Sequence, residues 1–246
     1  MPFFTSLFPV FSCNIPAIFR FYCLHKLACY LIIVLYVFTS FRSWSVIAQM
    51  SIFMGVLGFV LYFIYDINSI CWNNRLLQKL FLMGTILVVV STGYTFYLQR
   101  EFLYSGSRLI IWGIATAVFF FLLIYTLFFA LPFDATYVNE NTEREAYTQG
   151  IYGLCRHPGV LWFSAFYICL SLMIDSSRFR FLATALIILN ILYVVFQDIW
   201  TFPRSFSNYG EYQKNTPFLL PTIHSIKYCM QTLRLKEKGG VSNESK

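Results

Sequence analysis

Charge is scarce in this chain: acidic and basic residues together make up 12% of 246 positions, and only eleven are acidic. Soluble domains carry about a quarter of their residues charged, so that class is excluded. Histidine is scarcer still, with three copies, and the seven cysteines are scattered at 13, 23, 29, 71, 155, 169 and 229 without a C-x-x-C pair. No zinc-ligand spacing results; the thiols read as small buried hydrophobes, and no metal is expected. The apolar N-terminus lacks a basic flank, so no cleaved signal is expected. Residues 1–23 carry Pro2, Pro9 and Pro16, too closely spaced for one continuous helix, and read as a re-entrant or interfacial segment, with a seventh span as the alternative. A basic soluble module is missing, which sets nucleic acid aside. Gly55 and Gly58 form G-x-x-G rather than the G-x-x-x-G packing motif. Neither an internal repeat nor a matched pair of broken spans points to a transporter or channel.

What the chain has is apolar and aromatic: 58% hydrophobic, with 28 Phe and 17 Tyr. Apolar runs at 27–41 (short), 46–65, 80–98, 108–131, 159–174 and 181–197 read as spans. The expected fold is an all-α polytopic transmembrane bundle of about six spans. Trp44, Trp72 and Trp112 near span ends fit an interfacial aromatic belt. With both ends on one side, that side holds Arg20, Lys26, Arg75, Lys79, Arg144, Arg156 and the basic residues after Trp200. The opposite side holds Arg42, Arg100, Arg108, Arg178 and Arg180. The imbalance makes the C-terminus cytosolic. The net charge of +7 gathers at the C-terminus around Lys227, Arg234, Lys236 and Lys238, which implies attraction to anionic membrane lipids.

Composition divides the chain into N-terminal spans over 1–131, a more polar region with two spans over 132–221, and a basic tail over 222–246 expected to be disordered. The interval 134–149 holds Asp134, Glu140, Glu143, Arg144 and Glu145. It reads as a solvated cytosolic loop with a short helix, or as a lid over whatever is bound by Arg156 and His157 among the residues that follow it in the chain.

Those residues are Gly150-Ile151-Tyr152-Gly153-Leu154-Cys155-Arg156-His157-Pro158, which set an arginine and a histidine at the mouth of an apolar segment. An ionisable group at membrane depth costs about 2.5–3.5 kcal/mol on insertion scales, so such residues face a cavity, a partner or the headgroup layer. The bland alternatives are a snorkelling Arg156, a packed or capping His157, and an Asp198 paired with Arg204.

Together these residues resemble the membrane methyltransferases that include the isoprenylcysteine carboxyl methyltransferases and the phospholipid methyltransferases. In that family a Gly-x-Tyr segment leads into Arg-His-Pro-x-Tyr, and one span later a Glu-Glu pair precedes an aromatic segment ending Tyr…Pro…Pro. Gly150, Tyr152, Arg156, His157 and Pro158 match the first part, and Tyr212 through Pro217 and Pro221 match the end of the second, so the likeness covers residues 148–221. Val160 stands where the family has tyrosine, Gln197-Asp198 stands at the Glu-Glu position, and Leu192–Phe196 lacks the arginines of the prenylcysteine enzymes.

The resemblance implies a cytosol-facing cofactor pocket in the C-terminal half, roofed by residues 132–157 and 198–221. It further implies S-adenosylmethionine as cofactor and a lipophilic or lipidated acceptor entering from the bilayer. Its site residues carry over to Gly150, Tyr152, Arg156, His157, Pro158, Asp198 and Tyr212. Arg156 suits the cofactor carboxylate, Asp198 its ammonium or ribose, and Pro158 a helix start whose free N–H groups attract an anion. No catalytic residue is assigned; Asp198 and Glu211 are the nearby carboxylates if an acceptor amine needs a base. The alternatives are an NADPH-dependent membrane reductase of related helical arrangement, with Arg204 as the lone candidate for the 2′-phosphate, and an inactive protein retaining the fold. Either a bacterial inner membrane or the endoplasmic reticulum fits.

Overall fold

The computed structural model describes residues 46–130 and 144–241, with side chains over 49–130 and 144–233. The segment 1–23, the run 27–41 and the acids Asp134, Glu140 and Glu143 lie outside the described residues. Those described are helical throughout, apart from turns and one isolated bridge between Leu103 and Ile174. In chain order the helices are α1 (Val46–Cys71), α2 (Arg75–Gln78), α3 (Leu80–Leu98), α4 (Ser107–Phe128), α5 (Ile151–Leu154) and α6 (Pro158–Met173). Then come α7 (Ser177–Phe196), a π-helical turn (Gln197–Thr201), α8 (Phe202–Ser205), α9 (Tyr209–Asn215) and α10 (Ile223–Val241).

Four stretches are long and apolar enough to cross a membrane: Gln49–Cys71, Arg75–Leu98, Ser107–Phe128 and Ser177–Ser205. Helix α6 is apolar but has 16 residues, short of the roughly 17–25 that a span needs. Of the six runs in the sequence, four therefore reach spanning length, one falls short and one lies outside the described residues.

The chain divides into two compact units between Thr95 and Phe96, upstream of the boundary that composition places at 131/132. The reason is packing: α4 lies along α6 and so belongs with the C-terminal part.

Within the first unit, α1 and α3 approach backbone to backbone. A Cβ on Gly58 would lie 2.8 Å from the Gly84 carbonyl oxygen, and one on Gly84 would lie 2.7 Å from the Gly58 carbonyl oxygen. Ser91 Oγ donates to the Ser51 carbonyl at 2.6 Å, and the Tyr62 and Thr85 hydroxyls are 3.0 Å apart. Partners that rise along one helix fall along the other, so the pair is antiparallel. Small residues permit this close approach where lipid leaves no hydrophobic drive between helices. At the turn, buried Asn68 gives its amide to the Asn74 carbonyl at 3.0 Å and accepts the Asn74 N–H at 2.9 Å. Asn73 takes φ 47°, a left-handed conformation that asparagine tolerates.

The second unit is assembled from aromatic contacts. Phe119 stacks on Trp162 at 6.3 Å and Phe120 meets Phe166 at 5.7 Å, joining α4 to α6. Between α6 and α7 the chain turns at Ser176, whose hydroxyl caps the Phe179 N–H and donates to Gln99 Oε1 at 2.6 Å. Ile174, Phe179, Leu182 and Leu186 form the dry centre.

Of the tail, residues 242–246 lie outside the described residues, and the part before them is helical. Ile223–Val241 is helical, started by a reciprocal cap in which the Thr222 N–H reaches Ser225 Oγ at 2.9 Å and the Ser225 N–H reaches Thr222 Oγ1 at 3.2 Å. Ser225 and Cys229 are buried, and Tyr228 packs so closely on α5 that a Cβ on Gly153 would lie 2.7 Å from its ring.

Candidate functional site

The site begins with an irregularity in the helix after α7. Pro203 has no N–H, so the turn before it cannot keep an α-helical ladder. Phe202 donates its N–H back to the Gln197 carbonyl, five residues away. In that register the Asp198 carbonyl would need the N–H of residue 203, which is the proline. Gln213 Nε2 on α9 takes the orphaned carbonyl at 3.0 Å and reaches Asp198 Oδ2 at 3.2 Å. Single π turns of this kind recur at functional sites, and here the turn carries a carboxylate that is 7% exposed.

Asp198 gathers side chains from three directions. Arg156 Nη2 donates to Oδ2 at 3.1 Å, while its Nε lies 3.0 Å from Oδ1 without hydrogen-bond alignment, a charge contact only. His157 Nε2 stands 3.1 Å from Oδ1, and the Tyr209 hydroxyl donates to the same oxygen at 2.6 Å. Arg156 Nη1 also donates to the Gln213 carbonyl at 2.8 Å, and the Arg156 N–H to the Pro217 carbonyl at 2.9 Å. The His157 ring stacks on Phe202 and meets Phe218 edge to face.

Burial pushes the His157 pKa below the usual imidazole value, with Asp198 opposing it less strongly. The imidazole is therefore neutral and gives its Nε2 hydrogen to Asp198. Burial first, and the bond to Asp198 second, raise the Tyr209 hydroxyl above its ordinary value, so it stays a donor. The Cys155 thiol, wholly buried, is pushed up to about 12 by desolvation and is inert.

The structure thus brings Arg156, His157 and Asp198 together. It joins them to one another rather than opening them to a ligand: both oxygens of Asp198 accept from its own chain. Gly150 has φ 61°, which explains glycine there, and its N–H is taken by Thr232 Oγ1 at 3.0 Å. Tyr152 donates its hydroxyl to the Thr126 carbonyl at 3.0 Å. Pro158 starts α6, fully buried, and the Val160 N–H two residues on is already held by the His157 carbonyl at 3.1 Å.

Tyr212, among the predicted residues, lines a described cleft. Its hydroxyl donates to the Tyr152 carbonyl at 2.6 Å, burial raises its pKa, and its ring helps to line a cleft of about 390 Å³ among α5, α9 and α10. Thr148, Asn208, Glu211, Asn215, Thr216 and Tyr228 line the same cleft. Helix α9 divides its faces: Tyr209 and Gln213, four apart, hold Asp198, while Glu211 and Asn215, four apart, face the cleft. The Asn208 amide is committed to Ala146, accepting its N–H at 2.7 Å and donating to its carbonyl at 3.1 Å. Sequence reasoning reached Glu211 as a nearby carboxylate and missed Asn208, Asn215 and Tyr228, whose cleft forms only once α10 folds back.

The chain matches no family model, no curated protein and no solved structure.

Proposed function

We propose that the protein is an S-adenosylmethionine-dependent methyltransferase of the cytosolic membrane face, acting on a lipophilic or lipidated acceptor. The observation that carries this reading is the charge of the cleft. Among the described residues Glu211 is its one acidic lining residue and His224 its one imidazole, and no lysine or arginine lines it. S-adenosylmethionine brings an ammonium, a sulfonium and one carboxylate, a net cation that suits a lone acid and neutral amides. Tyr212 and Tyr228 offer π faces to a sulfonium. The cavity volume lies within the range of ordinary ligand pockets.

When bound, the cofactor supplies a methyl group on a positively charged sulfur, which an in-line nucleophile takes. The chain's own part is positioning and exclusion of water. Glu211 would hold the ammonium and Asn215 the carboxylate end, with Tyr212 forming the wall nearest the charged network. Arg156, His157 and Asp198 act behind that wall: they fix α9 against the mouth of α6 and so hold Tyr212 in place.

The same charge argues against NADPH, whose phosphates would meet Glu211. Arg204, the residue for a 2′-phosphate, donates to the Trp200 carbonyl at 2.8 Å and lies 5.3 Å over its ring. A second reading, a scaffold that retains the fold without the reaction, draws on one observation: Arg156 and Asp198 satisfy each other. Both readings share a multi-pass topology with the C-terminus cytosolic, in a bacterial inner membrane or the endoplasmic reticulum.

Membranes containing the protein, given methyl-labelled S-adenosylmethionine, should transfer label to material extracted with lipid, and Glu211→Gln should lose at least tenfold of that transfer. Equal label in membranes without the protein would leave the scaffold reading.

A further inference from the structure

Helix α10 has three faces, and the docked one explains only part of its sequence. Ser225 and Cys229 are buried, and Thr232 Oγ1 takes the N–H of Gly150, the residue before α5. Beside them Ile223, Ile226, Met230 and Leu233 form a second row, all large, apolar and exposed. Their spacings of three, four and three place them within roughly 80° of arc at 3.6 residues per turn. Lys227 is exposed and stands next round the helix, on the side of this row away from the docked face. Over its length α10 carries Lys227, Arg234, Lys236 and Lys238 against the single acid Glu237.

An apolar stripe flanked by a lysine, on a basic helix of low overall hydrophobicity, is the pattern of helices that lie in a membrane interface. We infer that α10 lies in the surface of an anionic leaflet, with Ile223, Ile226, Met230 and Leu233 in the acyl boundary and Lys227 at the headgroups. Charge complementarity selects the occupant. A protein partner would need its own acidic rim, whereas an anionic leaflet supplies negative headgroups around apolar chains along the whole stripe. Four described stretches, none of them in α10, are long and apolar enough to cross a membrane, which makes a lipid surface the expected surrounding of the chain. The helix lies there whatever the cleft binds.

The test is amide hydrogen exchange on the full chain in nanodiscs of phosphatidylcholine alone and of phosphatidylcholine with phosphatidylserine. Peptides from α6 and α7 serve as the measure of folding. Residues 223–233 should exchange several-fold more slowly in the anionic discs. The double substitution Ile226→Ser and Met230→Ser should abolish that difference with α6 and α7 unchanged, and Lys227→Glu should reduce it. Equal exchange in the two discs with the fold intact would overturn the inference. So would protection that depends on protein concentration rather than on lipid charge, which would mark a second copy as the occupant.

Discussion

The α1–α3 pair and the junction around Asp198 solve the same problem by opposite means. In the first, two apolar helices meet through Gly58 and Gly84, and the contact is made by removing side chains until carbonyls lie against Cα atoms. At the second, an arginine, a histidine, a tyrosine and a glutamine converge on one carboxylate. The glycine contact asks little of its surroundings and offers no chemistry. The charged junction is costly to bury and tolerable only while every member is paired, so it confers a fixed geometry on α9, the helix that lines the cleft.

The sharpest way to break the comparison is to unpair the charge. Asp198→Ala leaves Arg156 buried without its counter-ion and should cost about 3–5 kcal/mol, read as a large loss of thermal stability in detergent. Replacing Asp198 and Arg156 together by apolar residues of similar volume should cost much less. An Asp198→Ala protein as stable as the parent would show that water reaches the junction and that the network is ornamental.

A smaller effect is expected at the glycines. Gly84→Val drives a side chain into the Gly58 carbonyl and should cost about 1–3 kcal/mol by overpacking. Gly93 has nothing within 4 Å of its Cβ direction. Gly93→Ala should therefore be neutral or stabilise by about 0.5–1 kcal/mol through helix propensity. Equal responses at the two positions would contradict the close helix approach.

The smallest effect is a pH slope. His157 is held neutral by burial, with a folded pKa below its unfolded value of about 6.5. The unfolded chain then binds the proton more readily. This contribution to stability is complete above the unfolded pKa and is lost as pH falls below it toward the folded pKa. His157→Gln keeps an N–H donor without the titration. Its melting temperature should fall less than that of the parent as pH drops below about 6.5, and parallel curves would refute a buried neutral imidazole.

Much of this was written in the sequence at the level of elements. The apolar runs name the long apolar helices, and the family resemblance assigns Asp198 to the same site as Arg156-His157. That these groups would bind each other was not legible, because pairing depends on whether a carboxylate meets its cation or a cavity, and spacing is silent on that. The π turn follows from Pro203 only after Gln213 is seen to hold the freed carbonyl. Helix α10 was hidden by its charge and glycines, although Thr222-x-x-Ser225 is a capping signal. The Gly58–Gly84 contact escaped because motif spacing searches one helix, and these residues sit on two.

The most direct measurement is calorimetric titration of the purified protein with S-adenosylmethionine and, separately, with NADPH, beside Glu211→Gln and Arg156→Ala. Saturable binding of S-adenosylmethionine that Glu211→Gln abolishes, with no NADPH signal, is the predicted result. Folded protein that binds neither would contradict the methyltransferase account, and binding of NADPH alone would turn it toward reduction.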